Sequence, residues 1–111
     1  MNLIELKNIL EATGYPVAYS HFNDSPPSIP YICYRTQGTE NFYADNKIYQ
    51  EVIPADIELY TEKKDLTAEG KIKAALQDNE INYEMVTEVF IDSEKLFMNT
   101  FEVELRLHVG K

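Results

Sequence analysis

Two stretches of apolar–polar alternation constrain this chain most. One is Ala55-Asp56-Ile57-Glu58-Leu59-Tyr60-Thr61. In the other, Phe101, Val103, Leu105, Leu107 and Val109 alternate with Glu102, Glu104, Arg106 and His108. Successive side chains of a strand point to opposite faces, so each stretch lends a sheet one apolar and one polar face. Such strands suit an antiparallel sheet that buries one side only.

The spacing elsewhere predicts what covers that side. Leu3, Leu6, Ile9 and Leu10 recur at helical intervals, which predicts a helix over Asn2 to Thr13. Asn2 is placed to cap it with Glu5 three residues on, and Gly14 followed by Pro16 ends it. A second helix is expected over Asp65 to Gln77, with Leu66, Ile72 and Leu76 on or near one stripe. Gly70 weakens it by roughly 1 kcal/mol relative to alanine.

The remaining strands are expected at Val17 to Phe22, Pro30 to Gln37, Lys47 to Glu62, Tyr83 to Ile91 and Leu96 to Val109, with Pro54 interrupting or bulging the third. Residues 23–28 form a loop around two consecutive prolines, and Gly38 to Asn46 is expected to be a polar and aromatic turn. The order is therefore α-β-β-β-α-β-β. The expected fold is α+β, a mostly antiparallel sheet of about four to five strands with two helices packed on one face. Residues 1–111 make one domain, with no internal repeat and no linker long enough to divide it. A chain of this length buries about two-thirds of its surface on folding, enough for a core without staples.

Charge and cysteine content narrow the function classes. Nineteen acidic against ten basic residues leave a net charge of −9. The basic residues are scattered, so there is no stripe with which to neutralise phosphates. The apolar runs are too short to span a membrane, and the first residues lack both a basic leader and a small-residue cleavage site. The single cysteine excludes an internal disulfide and a cysteine-based zinc site. The expectation is a soluble, acidic protein made inside the cell.

Catalytic patterns are scarce. Cys33 sits inside a strand and reads as a small buried hydrophobe. His21 and His108 stand apart from any metal-ligand spacing and read as surface histidines. The pairs Asp56 with Glu58 and Glu102 with Glu104 look like a polar strand face. The four glycines are isolated, so no phosphate-cradling loop exists. We expect no enzyme activity, no cofactor and no metal.

The aromatics say more. Phe42, Tyr43 and Tyr49 fall in or beside the polar stretch Thr39 to Lys47, next to Asp45 and Asn46. Aromatics among short polar residues suit a protein contact, although a hairpin folding them back onto the sheet has the same composition. Lys63, Lys64 and Asp65, where the second helix begins, are further interface candidates; a solvated start to the helix reads the same way.

The order of signals resembles a known family. It comprises Gly14-Tyr15-Pro16-Val17-Ala18-Tyr19, Pro30-Tyr31-Ile32-Cys33-Tyr34, Asn41-Phe42-Tyr43-Ala44-Asp45-Asn46, Tyr49, the segment Ile57 to Asp65, and Ser93-Glu94-Lys95-Leu96. Across nearly the whole chain this is similar to the small tail-completion proteins of long-tailed bacteriophages and prophages of Gram-positive bacteria, the tail-terminator and tail-to-head joining family. The resemblance implies a structural protein that caps the tail tube as a homo-oligomeric ring, usually a hexamer, stops tube growth and offers a surface to the head. Its implied partners are further copies of itself, the tail tube protein and a head connector or neck protein. No membrane and no sequence-specific nucleic acid are implied, although DNA passes through such a ring. The implied location is the host cytoplasm during assembly and then the virion tail. Phe42, Tyr43, Asp45, Asn46 and Tyr49, with Lys63 and Lys64 more weakly, are the expected contact residues. A head–tail joining protein, a non-viral α+β binding module and an enzyme subunit completed by a partner are the alternatives.

Overall fold

The computed structural model describes residues 2–23, 27–36, 40–44 and 47–108. The elements are α1 (Leu3–Glu11), β1 (Val17–Tyr19), β2 (Tyr31–Thr36), β3 (Glu40–Ala44), β4 (Lys47–Thr61), α2 (Leu66–Asp78), β5 (Tyr83–Ile91) and β6 (Leu96–His108). The fold is α+β. Two helices accompany one six-stranded sheet ordered β1-β2-β4-β6-β5, with β3 pairing β4 off that path.

Local chemistry explains the helix ends. Asn2 accepts the Glu5 amide at 2.8 Å, and Asp65 accepts that of Ala68 at 3.0 Å, so each α-helix begins on a side-chain cap. Gly14 closes the first helix at φ +92, a left-handed conformation that glycine adopts without strain, and its amide reaches Glu11 O at 3.0 Å.

The sheet departs from expectation in three ways. First, the segment expected to be a turn contains β3, so the order is α-β-β-β-β-α-β-β and the strands number six. β6 pairs with β4 from Gln50 to Thr61, so β3 (against 47–52) and β2 (against 55–60) lie end to end along the opposite edge of β4. Pro54 falls between them, at positions neither strand pairs, and β4 runs through it with no register shift against β6. Its missing N–H therefore interrupts no ladder on that edge. Second, the sheet is mixed, because β1 pairs in parallel with β2. Third, β1 stops at Tyr19, where Ser20 turns the chain at φ 68.

The core lies on one side of the sheet. Ile32 and Tyr34 of β2, Ala55, Ile57 and Leu59 of β4, and Phe101, Val103 and Leu105 of β6 meet Leu6 and Leu10 of α1 and Ala68, Ile72 and Leu76 of α2. Ala55, Ile57 and Leu59 of one alternating stretch and Phe101, Val103 and Leu105 of the other thus face the helices. Leu66, expected on or near the stripe, is instead 72% exposed, and Glu69 takes an inward position at 2% exposure. In β5, a bulge between Met85 and Thr87 changes the face. Tyr83 and Met85 pack on the core, whereas beyond the bulge Glu88 and Phe90 take that side and Thr87 and Val89 turn to the back.

Candidate protein interface

The sequence-derived interface residues split into two groups at opposite ends of β4. Phe42 and Tyr43 lie in β3, paired with Gln50 and Ile48, and a register shift between them leaves Tyr49 opposite no β3 residue. Asp45 and Asn46 lie outside the described residues. Lys63 and Lys64 follow the far end of the same strand. Fifteen residues in β4, at about 3.3 Å each, put the two groups about 45 Å apart. They do not form one site.

The first group belongs to an arm. Ala55, Ile57 and Leu59 of β4 belong to the core cluster and Ile53 packs against it, whereas β3 pairs β4 only up to Val52, itself buried, so the rest of the hairpin continues past the helix-backed sheet. The longest dimension of the molecule, 51 Å against 27 and 24 Å across, reflects this. No strand pairs the outer edge of β3 among the described residues.

The second group is tied into the body. Lys64 Nζ meets the Glu69 carboxylate at 3.0 and 3.1 Å and also hydrogen-bonds Glu88 Oε1. Asn99, fully buried, donates from Nδ2 to Glu88 Oε1 at 3.4 Å. The hydrogen bond to Glu88 raises the Lys64 pKa, and the same bond lowers that of Glu88. Lys64 thus clamps the first turns of α2 to β5. Lys63 is exposed, and its carbonyl accepts the Thr61 hydroxyl at 2.7 Å.

The helix-free back of the sheet carries a second polar cluster. Arg35 pairs with the buried Glu58 at 2.9 Å, and the Tyr60 hydroxyl donates to Glu58 Oε1 at 3.0 Å. Tyr31 stacks on Tyr60 at 4.8 Å, with Phe22 edge-on to Tyr31 at 5.5 Å. Cys33 is buried opposite Glu58, and burial, with Glu58 adding to it, pushes its thiol up to about 11. That opposes the thiolate a nucleophile requires. Burial likewise raises the Tyr60 pKa.

Sequence reasoning missed the Glu69–Lys64–Glu88–Asn99 cluster. One signal was available: Glu69 shares the inward stripe of α2 with Ile72 and Leu76, three and seven residues on. Among the described residues no group of three or more histidine, cysteine or acidic side chains is placed to hold a metal ion. No described helix is long and apolar enough to cross a membrane. The chain matches no protein-family model, and a search of curated proteins finds no significant relative.

Proposed function

We propose that this chain is a tail-completion protein of a long-tailed phage or prophage, acting as a terminator. In this reading it assembles as a ring on the last ring of the tail tube, stops polymerisation and presents the surface that the head connector meets. The observation that carries the reading is the β3–β4 arm. It extends past the helix-backed sheet and leaves a strand edge unpaired among the described residues, and it bears one of the three segments on which the family resemblance is strongest.

A ring needs heterologous contacts, each subunit offering two different patches. An arm that reaches a neighbour while the body receives the next arm satisfies that condition. Phe42, Tyr43 and Tyr49 supply the contact area, and the role is structural, without chemistry of its own. Lys64 is engaged by Glu69 and Glu88 of its own subunit. Acidic subunits around a DNA conduit repel the phosphate backbone, which keeps passing DNA off the wall.

The test is deletion of the gene from the parent phage, followed by negative-stain electron microscopy. Overlong, headless tails are expected. Tails of normal length beside full, unattached heads would move the protein to the joining step, and intact infectious particles would remove it from tail assembly. The arm is tested by Phe42→Ala with Tyr43→Ala. Assembly should be lost while the circular dichroism of the isolated subunit is unchanged, and assembly at the normal level would show that the arm is not the contact.

A further inference from the structure

Strand registers place three carboxylates in one row on the back of the sheet. Asp56 of β4 stands directly opposite Glu102 of β6, and Glu102 directly opposite Glu84 of β5. Directly opposed like charges are unfavourable in a sheet. Among the described residues no cation lies within ion-pair distance of Glu84, Glu102 or the nearby Glu80; Arg106 pairs with Glu104 at 3.3 Å. Glu80, Glu84, Glu102, Glu104 and Arg106 line an open cleft of about 520 Å³, roomy enough for a long basic side chain.

The row ends at β5, the last strand of the sheet, whose outer edge no described strand pairs. That edge holds no lysine or proline, and its guards against strand addition are Glu84, Glu88 and the bulge between Met85 and Thr87, which leave negative charge for an added strand to meet. It carries Val86, Val89 and Phe90 at 48%, 42% and 52% exposure. Val89 and Phe90 lie on opposite faces, about 17 Å along the strand from Glu84.

From this juxtaposition we infer that the β5 edge is a docking site for an extended segment of a basic partner protein. The segment adds as a strand. Its lysine or arginine side chain continues the row beside Glu84 and reaches the cleft, and apolar side chains near its other end cover Val89 and Phe90. Backbone pairing supplies adhesion, and the carboxylate row supplies selectivity for positive charge. A second copy fits poorly, because it brings a further charge of −9 and another Glu84 to the same edge. The inference does not depend on ring formation and is tested on the isolated chain.

The probe is a capped nine-residue peptide with lysines at one end and valine, isoleucine and threonine at the other. Its control carries glutamate in place of each lysine. Both are titrated into the full chain while backbone amide shifts and hydrogen exchange are followed. The lysine peptide should slow exchange across Glu84–Ile91 at least tenfold, the glutamate peptide should not, and raised salt should weaken binding. Glu84→Lys, which replaces a repulsive pair with an attractive one and so leaves the fold intact, should weaken the lysine peptide at least tenfold. Equal binding of both peptides, or binding centred elsewhere, would overturn the proposal. So would concentration-dependent dimers of the free chain with β5 already protected, because a second copy would then own the edge.

Discussion

Cys33 is a small hydrophobe whose thiol happens to titrate. With its pKa moved from the ordinary 9.0 up to about 11, the folded state holds the proton over a range in which the unfolded chain releases it. The stability this represents is present in full below about pH 9 and is lost as pH rises through about 11. Urea midpoints should therefore fall across that window, and Cys33→Ala should flatten the fall. An unchanged slope would assign the alkaline loss to Tyr31, Tyr34 and Tyr60, whose hydroxyls burial also shifts upward. Lys64 matters in a different way. Removing its charge takes away the cation paired with the Glu69 carboxylate, buried within α2, so Lys64→Met should lower the urea midpoint. Adding Glu69→Leu should recover most of that loss. An unchanged urea midpoint in the single variant would mean the clamp contributes nothing.

At the level of elements, α2 is held at one end by Asp65 and Lys64. Gly70 lies within it, exposed, and a methyl group added there would meet nothing within 4 Å. Gly70→Ala should stabilise the protein by about 1 kcal/mol, through helix propensity and a less disordered unfolded chain. Thermal melts would check this, and a lower Tm would point to a packing role for the bare backbone. The bulge in β5 has the larger consequence. One extra residue exchanges the faces of the strand, placing Glu88 where Lys64 and Asn99 can reach it and Val89 on the back.

As a whole, the molecule is longer than its size requires. Its radius of gyration is 15.2 Å, against about 13 Å for an average domain of this length. An arm of paired strands backed by no helix costs surface that a free-standing monomer gains little from. The net charge of −9 adds self-repulsion spread over that surface. Salt screens it, so raising sodium chloride from about 0.02 to 0.3 M should raise the Tm by about 2–5 °C. A falling Tm would show that the attractive pairs at Lys64 and Arg35 outweigh the overall repulsion.

Both helices, their caps, the glycine stop and the long alternating strands were decided locally. A helical or strand period is written in neighbouring residues, and Asn2, Asp65 and Gly14 act within three residues of themselves. The sequence by itself therefore determined an α+β chain with one apolar sheet face and two helices to cover it. Register and order came from tertiary structure, because they depend on segments far apart in the chain. β3 gained strand structure from β4, in a segment whose polar residues read as a turn. The parallel β1–β2 pair and the inward Glu69 likewise needed partners that local periodicity does not name. So did the candidate sites: the arm exists because β3 and β2 share one edge of β4, and the carboxylate row exists because three separate strands align Asp56, Glu102 and Glu84. Alternation determines which face a residue occupies, and only the folded sheet determines what stands beside it.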